Sequence, residues 1–310
     1  MGAGGDSELE RIERHYRRIY RHLDPDSLSE QDADWPGEDG DAREPGEAAD
    51  GLFLGFYSLS GLRLVFERYG LVAELARLGF AELEFALDEP DAGYDVLRIT
   101  SPRARQPLVE LVAQVAPLPA HLRWVAPAEH RFLQVRWLRM QNPLQRPDPA
   151  RPLLPGQSFP GLGIGREMLV LLQLISVRLG LDGMLELPER IHNAVLYFRH
   201  FRFVQPEMQG QLTAILRDTR DRSLYELAWG VESGDLLDCR SGKPFRWIGA
   251  EQVLARRGSV KTWIESDTYR ERATEAMEQN RFRLSRGDLT MDLLGAGQDL
   301  TENPIPDRIK

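Results

Sequence analysis

Apolar and polar positions follow different rules along the chain. From residue 8 to 23, Leu9, Ile12, Tyr16, Ile19, Tyr20 and Leu23 recur every three or four positions, which predicts one amphipathic helix in the N-terminal segment 1–23. Residues 24–50 lose that rhythm: 11 acids, a single arginine and several prolines and glycines read as an acidic disordered linker. From Gly51 the pattern becomes that of a folded body. LFLGFYS (52–58) predicts a short buried strand, and residues 58–80 have a helical period interrupted at Gly70. AELEFALDE (81–89) and YDVLRITSP (94–102) alternate, with EPDAG as a hairpin loop between them. PLVELVAQVAPL (107–118) is read as a third strand because alternating segments precede it, and HRFLQVRWLRMQ (130–141) as a fourth, giving an antiparallel meander.

The proline-rich stretch 141–161 suits neither helix nor central strand. After it, IGREMLVLLQLISVRLG (164–180) is apolar on nearly every face, a helix laid on a sheet. GMLEL (183–187) predicts a strand, and Pro188 opens a further helix running toward Phe203. Helical segments at 206–232 and 261–283 flank a turn-rich piece containing Cys239. The fold predicted is mixed α/β: a mostly antiparallel, partly parallel sheet with helices on both faces over residues 51–205, then a mainly helical C-terminal extension, 206–310.

Charge narrows the partners. Residues 1–50 hold 15 acids against 6 arginines, so the whole net charge of -9 resides there and the rest of the chain balances at 33 against 33. A neutral body without a basic face argues against nucleic acid. No apolar run is long enough to cross a bilayer, and the charged N-terminus lacks the apolar core of a signal peptide, which predicts a cytoplasmic protein with no membrane partner. One cysteine and six histidines without HxH or HExxH spacing predict no disulfide and no metal site. The apolar stripe of residues 8–23 needs a partner, either the body or a second copy in a homodimer.

Gly161, Gly163 and Gly165 alternate immediately before the apolar helix. Glycines let backbone amides approach an anion, and a helix N-terminus favours negative charge there, so the segment can cradle a phosphate, with Arg166 adding a charge-assisted hydrogen bond. The same glycines would also serve as a tight turn into a helix. The loop of nucleoside triphosphatases needs Lys-Ser/Thr where Arg166-Glu167 stands, and a dinucleotide fingerprint needs a strand where prolines stand.

The succession GLGIGREMLVLLQLISVRLGLDGMLELPERIHNAVLYFRHFRF (161–203) resembles the core motif of the GNAT superfamily of acyl-CoA N-acyltransferases: glycine turn, helix, strand, and a helix bearing Leu-Tyr before an aromatic-ended strand. The resemblance implies that Gly161, Leu162, Gly163, Ile164, Gly165 and Arg166 bind the pyrophosphate of coenzyme A, in acetyl-CoA or another acyl-CoA. It also implies that Tyr197 protonates the departing thiolate and that an unidentified amine is the acceptor. Pro160 stands where the family usually has Arg or Gln, and Phe201, Arg202 and Phe203 replace its closing Gly-Phe pair. Such enzymes often take the amine proton with a strand glutamate; here Glu186 is the nearest candidate and Glu110 the next. His192 is read as a surface or packing residue. The competing expectation is a catalytically inactive GNAT-like binding or regulatory module.

Overall fold

The first apolar stripe folds as a helix and finds its partner on the same chain. In the computed structural model, which describes residues 4–30, 51–91, 93–127, 129–149 and 152–285, α1 spans Gly4–His22 and buries Ile12 and Tyr16 in the main core. A short helix α2 (Asp26–Ser29) follows, with Leu28 1% exposed, so part of the 24–50 stretch expected as a disordered linker is helical and anchored by one buried side chain; residues 31–50 of it lie outside the described residues. Helix α3 (Leu59–Arg68) is capped by Ser58, whose amide donates to the Leu28 carbonyl at 3.0 Å. α2 crosses α3 so closely that a Cβ at Gly61 would collide with that carbonyl. Gly70, left-handed at φ 80, separates α3 from α4 (Leu71–Arg77), as its place in the sequence suggested. Residues 52–58 do not form the expected strand. They make a tight turn closed by a Phe53–Tyr57 bridge, in which Leu54 takes φ 56 and donates its amide to Asp95 at 2.7 Å.

The alternating region becomes four antiparallel strands, β1 (Glu84–Asp91), β2 (Tyr94–Thr100), β3 (Val109–Ala116) and β4 (Phe132–Met140). Helix α5 (Gly165–Arg178) then crosses to β5 (Gly183–Glu186), which lies parallel to β4. A short α6 (Ile191–Tyr197) leads to the two-residue β6 (Arg202–Phe203). The helix foreseen from Pro188 is thus shorter, beginning after an extended Arg190 and ending at the aromatic cluster. Helices α7 (Pro206–Asp218) and α8 (Leu224–Glu232), strand β7 (Leu236–Asp238), strand β8 (Gln252–Ala255), helices α9 (Gly258–Ile264) and α10 (Asp267–Gln279), and strand β9 (Phe282–Leu284) complete the described chain.

The seven-stranded sheet has the order β1-β2-β3-β4-β5-β8-β6, and β7 pairs with β9 in a separate ribbon. Strand β8 inserts antiparallel between β5 and β6, so the segment after residue 205 is part of the same sheet and 205 is no boundary between structural units. Phe85, Leu97, Ile99, Leu111, Ala113 and Leu133 share one face and pack beneath α1, α3 and α5. The other face is covered at the β4–β5–β8 end, where Phe132, Leu185 and Val253 meet Leu122 and Val260 of α9. Helices therefore lie on both faces of a mixed, mostly antiparallel sheet.

Candidate functional site

Two adjacent strands that part company create the site. β4 and β5 pair only from Phe132/Gly183 to Val135/Glu186. Beyond that point Val112 faces Trp137 while Ala113 faces Val135, which leaves Arg136 as an extra residue and bends β4. β5 stops at Glu186, and β4 runs on to Met140 with its β5-side edge unpaired by any strand among the described residues. The result is a fork with Glu186 at its crotch.

The glycine turn sits at the far end of the longer arm. Gln141 bridges Gly161, and the Asn142 amide donates to the Pro160 carbonyl at 2.7 Å. Leu162 and Ile164 are buried anchors, whereas Gly161, Gly163, Gly165 and Arg166 are exposed. Gly163 adopts φ 78 with open space where a Cβ would be. Ile164 supplies no side-chain cap, and the first helical bond runs from the Met168 amide to the Ile164 carbonyl at 3.0 Å. The amides of Gly165, Arg166 and Glu167 consequently open the helix without helical acceptors. Arg166 does not stand free beside them: its guanidinium pairs with Glu8 of α1.

At the crotch, register aligns one row of side chains across four strands: Val135, Glu186, Gln252 and Phe203. Oε1 of Glu186 is enclosed and has no hydrogen-bond partner, and burial raises the Glu186 carboxyl well above the usual range. Tyr197, on α6, is its neighbour. Burial and then the Glu186 charge raise the Tyr197 phenol, so it keeps its proton at neutral pH. Tyr197 packs against the main core, 5.7 Å from the Phe201 ring. The two residues therefore lie within electrostatic reach of each other.

The remaining candidates lie elsewhere. Glu110 is held by Arg98 at 3.0 Å. His192 is buried on α6, where burial and then Arg190 lower its pKa to about 4; its charged neighbours are Arg190 and Glu232, not Glu186. It is a neutral packing residue. Cys239 is exposed beside the β7 turn. Among the described residues no group of three or more His, Cys, Asp or Glu could hold a metal, and no helix is long and apolar enough to cross a membrane. A cleft of about 410 Å³ between α1, α2 and α3, lined by Arg18, His22, Leu23, Leu64 and Arg68 among others, shares no residue with the fork. Gln252 escaped the sequence reading because a four-residue strand between irregular segments leaves too short a pattern. No family model matches the chain, and no curated protein matches it.

Proposed function

We propose that this chain is an acyl-CoA-dependent N-acyltransferase that moves an acyl group from acetyl-CoA or another acyl-CoA to an amine. The observation that carries the reading is the enclosed, unpartnered Glu186 carboxylate at the crotch of a strand fork whose other arm ends in the glycine turn, with Tyr197 close enough to feel its charge. From Val135 to Gln141 the arm is roughly 17–20 Å long. A ligand spanning it needs an anionic end for open amides, an extended polar middle for an unpaired strand edge, and a reactive end beside a carboxylate and a phenol. Coenzyme A thioesters have that layout. Turn, helix, strand and tyrosine-bearing helix also succeed one another as the GNAT resemblance implies.

The chemistry follows from the two side chains. The acceptor arrives as an ammonium, and Glu186, whose raised proton affinity suits a general base, takes one proton. The freed amine attacks the thioester carbonyl, the C–N bond forms, the C–S bond breaks, and the second amine proton leaves to water. Tyr197 gives its proton to the leaving thiolate. The resulting phenolate regains a proton from neutral Glu186, a return favoured because a phenol binds its proton more tightly than a carboxyl. No acyl-enzyme is required. The amides of the glycine turn hold the pyrophosphate throughout, and Arg166 joins them on release from Glu8.

Calorimetry with coenzyme A tests the cradle. Wild type is expected to bind, and Gly163→Asp, which places a carboxylate in the turn, to weaken binding at least roughly tenfold; Gly163→Ala separates charge from backbone strain. Absence of binding by wild type overturns the proposal. With acetyl-CoA and a panel of amines, Tyr197→Phe should keep its coenzyme A affinity and lose about 100-fold in turnover. Unchanged turnover removes Tyr197 as the acid, and binding without turnover by wild type makes the chain a binding module.

A further inference from the structure

Gln252 is 0% exposed, and its Oε1 has no hydrogen-bond partner, an unusual condition for a buried amide. Among the described residues its Nε2 reaches the Ala194 carbonyl of α6, at 3.5 Å. Glu186 stands directly opposite on β5, also with an enclosed, unpartnered Oε1. Directly paired residues have Cα atoms roughly 4.5–5.5 Å apart, within reach for two such side chains after a small rotation. Turned toward each other, the two oxygens are both acceptors and leave each other unsatisfied while Glu186 is ionised. Protonation of Glu186 turns one of them into a donor.

We infer that Gln252 is a positioning residue for Glu186, its amide oxygen accepting the proton that Glu186 carries after taking it from the substrate ammonium. The inference rests on Glu186 as the base of the proposed reaction. The proton moves from nitrogen to the Glu186 carboxylate, is held in an O–H···O bond to Gln252, and leaves toward the Tyr197 phenolate. Around it, β4 contributes Val135 to the row, α6 contributes Tyr197 as the proton's destination, and no cation is paired with Glu186 among the described residues.

The test is a carbon-13 NMR titration of the full chain labelled at glutamate Cδ, with the Glu186 signal identified by its loss in Glu186→Gln. Gln252→Leu and the better shape match Gln252→Met both delete the acceptor. The Glu186 midpoint is expected to fall by roughly one pH unit in each, the worth of one net hydrogen bond. A residue that merely fills space would leave the midpoint in place or move it upward, since leucine deepens burial; either result overturns the inference. In turnover assays the acidic limb of the pH profile should move by the same amount while coenzyme A affinity stays at the wild-type value. If wild type binds no coenzyme A, the acyltransferase reading fails, whereas the titration still decides whether Gln252 holds the proton.

Discussion

Asp182 joins three segments through one carboxylate. It accepts the Arg131 amide at 3.0 Å, the Arg257 guanidinium at 2.7 Å and His130 at 3.2 Å, just before β5 begins. Burial alone would raise its pKa, but these donors outweigh burial and hold it below the ordinary carboxylate range. A carboxyl depressed in the folded state contributes stability above its unfolded value of about 3.9 and loses it as pH falls through the folded value. Asp182→Asn should therefore cost about 1–3 kcal/mol near pH 7 and progressively less in acid, read from urea unfolding at several pH values. An equal cost at pH 7 and pH 2 would contradict this account. Asp182 gave no signal in the sequence, because its partners lie more than fifty residues away in the chain. Glu186 and Tyr197 can be named from the sequence because each lies in a short periodic segment, while Gln252 acquires meaning only from the strand opposite it.

Among the elements, α1 is the informative one. It runs parallel to α5 and is fastened at both ends: Glu8 meets Arg166 at the first turn, and Arg178 near the last donates to the Tyr20 carbonyl at 3.2 Å while lying 4.4 Å over its ring. The stripe of residues 8–23 foretold a partner without saying which, since apolar periodicity marks a face and not what covers it. Its cover is α5 of the same chain, with Tyr16 edge-on to Tyr69 at 4.7 Å. Glu8 is an anion already resting against the proposed anion cradle. Glu8→Gln should free Arg166 and tighten coenzyme A up to about fivefold by calorimetry, the ceiling set by an exposed ion pair. Weaker binding would mean that Glu8 orients Arg166 for the ligand.

For the whole molecule, the sequence placed the meander and the crossover helix well because each is a run of local periodicity. It placed the far edge of the sheet poorly because β6 and β8 are two and four residues long and pair across a wide gap. The segment after 205 reads as helical, as most of it is, yet its one strand in the main sheet closes the row containing Glu186. Ending the chain at residue 205 should therefore yield an aggregating product without a cooperative melt, followed by circular dichroism and light scattering. A soluble, cooperatively melting truncation would show that β5 tolerates a bare edge.

The insertion of β8 also sets a timetable. A growing chain makes β5 and β6 first, and residues 204–251 must follow before the strand between them exists. At about 5–20 residues per second, several seconds of synthesis separate the two events. During that interval β5 has a naked edge and Glu186 lacks the residue that faces it across the sheet. The last strand to be translated into the sheet is the one that sets Gln252 opposite Glu186, so a nascent protein would acquire its fold in outline well before that pair is complete.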